Sequence, residues 1–405
     1  ASGHATGIIL DPTRRAVQQR GEAMGNPLVE VQKFGQSIWY DNIRRGIITS
    51  GQLQSMIDED GLLGITSNPA IFEKAINESH DYDQAIRAEV ARGGGAPMDV
   101  YESLAMDDIR WAADLLHPVW ERTDGRDGWV SFEVAPALAN DTDGTVQYAK
   151  RVHAAIARDN VLIKVPATPA GMPAIAALIG EGISVNVTLL FAVEAYENCA
   201  NAYMDGLERH AARGGDVSRV ASVASFFVSR IDSLVDDELA KLAAQEKDPA
   251  RMARIEGLAG KIAIANAKIA YDLYLQLIAR PRWQALAAKG ARTQRVLWAS
   301  TSTKNPRYPK TLYVDSLIGR DTVNTIPEET FVEYRRSGRP HAALQENWPA
   351  QLAEARAQVQ EMESFGLPMK SVTDRLLVEG VRKFVEPMDK LLAAIGKKRA
   401  SLEAA

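Results

Sequence analysis

Lys164 stands in the run Val161-Leu162-Ile163-Lys164-Val165, where a charged side chain interrupts an apolar stretch. Successive side chains of a strand point to opposite faces, so Lys164 shares a face with Leu162, opposite the β-branched residues at 161, 163 and 165. A lysine so placed has two readings. Near a strand end its stem can lie along apolar surface while its head reaches solvent. Held inside, burial disfavours its charged form and leaves a free amine able to attack a ketone as a nucleophile. The iminium formed would act as an electron sink beside the carbon–carbon bond to be broken. Such chemistry needs proton transfer, and two carboxylates offer it: Glu133, between Phe132 and Val134, and Asp41, which ends Ile38-Trp39-Tyr40-Asp41. Either can be structural, since Asp41-Asn42 also resembles a helix N-cap.

These residues need a scaffold that brings them together. Short apolar, β-rich runs are expected as strands at Ser37–Asp41, Leu62–Ser67, Trp129–Val134, Val161–Val165, Ile183–Val187, Val220–Phe227, Val296–Ser300 and Val323–Ile326. Helical patterns separate nearly all of them, and that alternation predicts a parallel (β/α)8 barrel rather than an open sheet. Helices are expected around Gly260–Ile278, and two more, Ala350–Phe365 and Val372–Ile395, are expected to pack outside the barrel. Parity gives several strands an inward polar face: Ser131 with Glu133, Ser184 with Asn186 and Thr188, Ser225 with Phe227, and Ser300 with Ser302. In an α/β barrel, active sites lie at the C-terminal ends of the strands. Residues 1–26 read as an extension outside the fold, disorder being one outcome for it, and 27–405 as a single elaborated domain.

Composition narrows the function. The 405 residues carry a formal net charge of −5, with 24% charged and 46% hydrophobic residues, the profile of a soluble globular protein. No broad basic surface is implied, so neither nucleic acid nor an anionic membrane is expected as a partner, and an anionic ligand would need local cations. No apolar run approaches the roughly 18 residues of a membrane span. The first residues lack the apolar core of a secretory signal. The single cysteine, Cys199, fits a reducing cytoplasm and reads as a packed small residue. The six histidines form no closely spaced pair, so no metal is expected.

The run Gly64–Phe72, GITSNPAIF, and the run Val161–Thr168, VLIKVPAT, resemble the two signature motifs of the transaldolase family. The stretches VQKFGQSIWYD, WVSFEV, SVNVTLLF, SFFVSRI and STSTKN extend the resemblance in the expected order. It covers the chain from about Pro27 to the C-terminal helices and is nearest to the longer bacterial subgroup. It implies a TIM barrel of the class I aldolase type with additional helices. It also implies transfer of a dihydroxyacetone unit from sedoheptulose 7-phosphate or fructose 6-phosphate to an aldose phosphate, in the non-oxidative pentose phosphate pathway of the cytoplasm. Neither metal nor organic cofactor is implied, because Lys164 supplies the Schiff base. Sugar phosphates are the implied ligands, and oligomeric state stays open, a homo-oligomer included.

The resemblance also implies roles. Asp41 matches the aspartate that handles the C4 hydroxyl proton, Glu133 the glutamate that works through a water at the imine steps, and Thr188 the threonine that positions that water. Thr66, Asn68, Asn186 and Ser225 match polar residues around the dihydroxyacetone unit, whose alternative is inward packing with hydrogen bonds to one another. Arg230 matches a phosphate-binding arginine, Ser302 falls at another phosphate position, and Lys304 stands where shorter relatives commonly carry a second arginine. Lysine binds phosphate as a point charge and lacks the guanidinium fork. Two alternatives remain. A fructose 6-phosphate aldolase resembles a shorter barrel, with tyrosine at the position of Phe227 and glutamine at that of Glu133. A non-catalytic sugar-phosphate binding barrel would not need the set Asp41, Glu133 and Lys164.

Overall fold

The structure, a computed structural model, describes residues 25–93 and 95–403. Of the extension expected at 1–26, only Gly25 and Asn26 lie within the described residues. Asn26 belongs with the fold. Its side chain caps the helix Pro27–Glu30 by accepting from the Leu28 amide, and its Nδ2 donates to Asp60 at 2.8 Å.

Eight parallel strands close into a barrel in chain order. They are β1 (Gln36–Tyr40), β2 (Gly64–Thr66), β3 (Trp129–Glu133), β4 (Val161–Pro166), β5 (Val185–Leu190), β6 (Ser222–Phe227), β7 (Arg295–Ala299) and β8 (Thr322–Ile326). Closure runs along β1 and β8, from Gln36 opposite Thr322 to Tyr40 opposite Ile326. The (β/α)8 fold expected from the alternation is therefore present, with helices between successive strands and further helices added. Side chains alternate as the pleat requires: Val161, Ile163 and Val165 are buried beneath the surrounding helices, while Leu162 and Lys164 face the barrel axis. At Gly64 the first turn of that packing tolerates no side chain, since a Cβ would meet the Trp39 indole at 2.6 Å.

The largest boundary corrections concern β5 and β2. Ile183 and Ser184 precede β5, which continues past Val187 to Leu190 with a register irregularity between those two residues. Leu189 sits there at φ +62°, a left-handed conformation that breaks simple alternation. Leu62, Leu63 and Ser67 fall outside β2. Ser300, expected in β7, follows that strand at φ +55°, so its parity with Ser302 does not come from a shared pleat. Asp41 also falls just beyond its strand.

The two C-terminal helices differ. Trp348–Ser364 packs outside the barrel against Ile262–Ala279, as expected, with Trp348 edge-on to Tyr271 at 5.4 Å. The helix Met369–Glu403 contradicts the expectation of purely external packing. It contacts Pro69–Glu78, Asp83–Ala91, Pro97–Arg122, Ser229–Gln245 and β5, and so crosses the face where strands end. No helix among the described residues is long and apolar enough to cross a membrane.

The opposite end of the barrel holds a buried ion pair. Arg295, first residue of β7, contacts Asp127 at 2.9 Å and donates to Ser37 Oγ at 2.8 Å. Ser37 and the Trp39 indole donate in turn to the two Asp127 oxygens.

Candidate active site

Lys164 and Glu133 are neighbours by register, each the Cα partner of the other across β3 and β4. Adjacent register partners point the same way, so both side chains enter the barrel interior. Lys164 Nζ donates to the Ser67 carbonyl at 3.0 Å and to Glu133 Oε2 at 3.2 Å. Both residues are buried, so the reading of Lys164 as a solvent-reaching lysine fails. Burial pushes Glu133 up to about 7 despite the opposing pull of Lys164.

Asp41 directly follows the C-terminal end of β1. The helix that follows begins at Arg45 with Arg44 as its N-cap, so Asp41 does not cap it. Its Oδ1 accepts from Thr66 Oγ1 at 2.7 Å. Thr66 Oγ1 also lies 2.6 Å from Thr325 Oγ1, and since the Thr66 proton is committed to Asp41, Thr325 is the donor of that second bond. Desolvation raises the Asp41 pKa, opposed first by the charge of Lys164. Asp41 and Glu133 thus both hold protons more readily than ordinary carboxylates, and the charge of Lys164 opposes the shift of each.

The inward residues lie at three depths. Thr66, Asn68, Thr188, Ser225 and Phe227 line a cavity together with Asp41 and Lys164. Asn186 does not reach its wall. Its Nδ2 donates to Ser131 and its Oδ1 accepts from Ser225 at 2.7 Å, one layer down, which is the hydrogen-bonded packing alternative for that residue. Ser184 is lower still and accepts from the Ala221 amide. Asn68 spends its amide oxygen on capping the helix Pro69–Glu78 through the Ile71 amide. Thr188 Oγ1 and Glu133 Oε1 are buried with no protein partner. Unpaired buried oxygens are costly, and two near one amine suit a shared polar ligand such as a water.

Cations mark the far side. Arg230 lies in the first turn of the helix Ser229–Gln245, whose amino end favours an anion. Its Nη1 is buried and unpartnered, and its Cζ stands 5.1 Å from the Phe227 ring centroid. Burial lowers its pKa, while the charge of Asp41 resists that shift. Lys304 donates to Ser302 at 2.7 Å, and its own pKa is lowered by burial and then by Arg230. Two repelling cations beside an unpartnered guanidinium nitrogen form a site short of negative charge, and a phosphate would supply it. The cavity encloses about 660 Å³ of empty space, open solvent at its mouth included.

Sequence reasoning gave no role to five parts of the wall: Ala299, Pro327, Thr325, Ser300 and Phe384. Thr325 had a signal, since it lies at the inward end of a predicted strand. Ser300 was recognised as inward but given no role; its Oγ lies 3.0 Å from that of Ser229. Phe384 had none, because an apolar helical face does not say what it covers. Its ring centroid lies 5.6 Å from Lys164 Nζ. Cys199 is buried with its thiol pushed up to about 12 by burial, as its packing role predicts. Among the described residues, no group of three or more His, Cys, Asp or Glu side chains gathers as a metal site would require.

A parallel barrel that gathers a buried lysine, two carboxyl groups and two further cations at the ends of its strands has the arrangement of an enzyme active site. The family model of transaldolase/fructose-6-phosphate aldolase matches residues 38–395, and the chain belongs to that family. It is 46% identical over 375 residues to a transaldolase of Trichodesmium erythraeum, covering 92% of this chain and 97% of that one. It is 48% identical over 373 residues to transaldolase 2 of a Nostoc species, covering 91% and 97%. A transaldolase of Thiobacillus denitrificans is 45% identical over 370 residues, covering 91% of this chain and 99% of its own.

Proposed function

We propose that this protein is a transaldolase that carries a dihydroxyacetone unit from a ketose phosphate to an aldose phosphate on Lys164. The observation that carries the reading is the buried Lys164 amine, hydrogen-bonded to Glu133 and facing a cavity whose other side presents Arg230 and Lys304.

In this reading Arg230, with Ser302 and Lys304, holds the donor phosphate and sets the ketone at Lys164. The free amine attacks C2, and the C2 oxygen leaves as water. Glu133 exchanges the protons of that step through a water between its unpartnered Oε1 and Thr188 Oγ1. A carboxyl group titrating near neutrality can both give and take a proton there. Asp41, held by Thr66, then takes the proton of the C4 hydroxyl as the C3–C4 bond breaks. Its electrons pass into the iminium, and the aldose phosphate departs. Ser225, steadied by Asn186, and the Asn68 amide contact the remaining three-carbon unit. A second aldose phosphate accepts that unit, Asp41 returns the proton, and hydrolysis frees Lys164. Sedoheptulose 7-phosphate and fructose 6-phosphate are the donors that fit this chemistry, within the non-oxidative pentose phosphate pathway of the cytoplasm.

The test is reduction with borohydride in the presence of fructose 6-phosphate, followed by mass spectrometry of peptides. A reduced three-carbon unit is expected on Lys164, with labelling and turnover both lost in Lys164→Ala. Label on Lys150 or Lys304 instead would assign the chemistry to the wrong residue. Adding erythrose 4-phosphate separates the alternatives: a transferase makes sedoheptulose 7-phosphate, an aldolase releases dihydroxyacetone, and a binding barrel makes neither.

A further inference from the structure

One wall of the cavity comes from outside the barrel. Phe384 belongs to the helix Met369–Glu403, is buried, and places its ring over the Lys164 amine. Its position is set one helical turn earlier by Gly380, on the same face. Gly380 rests against Leu189 and Phe191 so closely that a Cβ would meet Leu189 Cδ2 at 2.9 Å. The seat beneath it is rigid. Leu189 is buried in the left-handed conformation at the irregular end of β5, directly after Thr188, a conformation costly for a bulky residue unless its surroundings enforce it. Phe191 packs on Phe227 with centroids 5.2 Å apart, and Phe227 carries the Arg230 guanidinium on its face. Helix seat, strand end and aromatic wall are thus one contiguous piece of packing that ends at Phe384.

Resting on the transaldolase reading, we propose that Phe384 is a specificity-determining residue that reserves the Lys164-bound three-carbon intermediate for an acceptor aldehyde. After cleavage that intermediate has an electron pair at its enamine carbon. In transfer, the pair forms a carbon–carbon bond to the aldehyde carbon, and the aldehyde oxygen takes a proton to become a hydroxyl. In the competing release, the same pair takes a proton from water. A further water then adds at C2, the C–N bond breaks, and dihydroxyacetone leaves as the Lys164 amine is restored. A phenyl ring over the adduct donates no exchangeable proton and holds no water against the enamine carbon, while the water of imine hydrolysis is held by Glu133 and Thr188. Its electron-rich face also tolerates the iminium charge that both routes pass through. Release is therefore suppressed while an incoming sugar phosphate, drawn by Arg230 and Lys304, can still enter.

The experiment measures free dihydroxyacetone against transferred product from fructose 6-phosphate and erythrose 4-phosphate. Phe384→Ala is expected to raise that ratio several-fold while borohydride still labels Lys164. Gly380→Val, which displaces the helix without altering Phe384, is expected to raise it too. A merely structural role would lower the total rate or the melting temperature and leave the ratio alone, so an unchanged ratio in Phe384→Ala overturns the proposal. Should Phe384→Ala fail to fold, an unchanged ratio in Gly380→Val overturns it instead. Wild-type protein that forms no adduct or no transferred product would refute the transaldolase reading, a different failure from the one tested here.

Discussion

The two ends of the barrel each hold a buried basic side chain beside a carboxyl group, and they use it in opposite ways. At the N-terminal end Arg295 and Asp127 are 5% and 4% exposed in their side chains; at the mouth Lys164 and Glu133 are 6% and 3% exposed. Burial is therefore equal, and hydrogen bonding makes the difference. Asp127 receives Ser37, Trp39 and Arg295, and Arg295 also reaches the Arg126 carbonyl. At the mouth, Glu133 Oε1, Thr188 Oγ1 and Arg230 Nη1 have no protein partner. A saturated buried pair specifies structure, whereas an unsaturated one keeps capacity for a ligand. Position along the strand decides which role falls where, since strand starts meet the closed floor and strand ends meet the cavity.

Glu133→Gln should show the largest effect and tests whether the mouth is built for chemistry. The rate of adduct formation should fall roughly 10²–10⁴-fold, the usual cost of losing a proton-transfer group. In wild-type protein that rate should rise with pH through about 7, where the raised Glu133 titrates, and the glutamine variant should lose the inflection. Stability carries the opposite sign. A folded pKa above the ordinary 4.5 contributes stability that is complete below 4.5 and lost as pH rises through about 7. Melting curves against pH should therefore show the variant gaining on the wild type over that window.

Arg295→Met tests the floor. Breaking a buried pair from one side typically costs about 3–5 kcal/mol, and the donors left on Asp127 place this case at the lower end. Denaturant unfolding should record that loss while kcat of the folded fraction stays near wild type. A large fall in kcat without destabilisation would erase the distinction between the ends.

Arg230→Ala should act least. A charge-assisted hydrogen bond is worth about 1.5–3 kcal/mol, so KM for phosphorylated donors should rise by that equivalent. KM for unphosphorylated donors should barely move, and stability should hold or improve, because an unpartnered buried donor is removed. Equal effects on both kinds of donor would take Arg230 out of the phosphate site.

The strands and the amine were readable because strand periodicity is strict. Lys164 is inward for the same reason that Val161, Ile163 and Val165 are covered by helices. Parity gives the face but not the height within the barrel, and so Asn186 was expected at the ligand when it supports Ser225 from below. Nor does parity survive a left-handed residue, which is why the end of β5 at Leu189 and the position of Ser300 were misjudged. The Arg295–Asp127 pair went unnoticed since a charge at a strand start reads as a solvated turn. Phe384 was invisible for a deeper reason: its partner Lys164 lies far away in sequence, and helical periodicity has no term for that.

The helix that carries Phe384 has a consequence for how such an enzyme can diverge. Every group assigned to bond making or phosphate binding lies between Asp41 and Thr325, within a barrel whose ring is complete at Ile326. The cover over the amine comes from a separate, later stretch, packed along its length on barrel helices and seated at Gly380 against Leu189 and Phe191. Reactivity and fidelity are therefore inherited in different parts of the gene. Changes in the last helix can adjust which product leaves while the bond-making apparatus stays under its own selection, and a grafted helix could do in one step what scattered barrel mutations would do slowly.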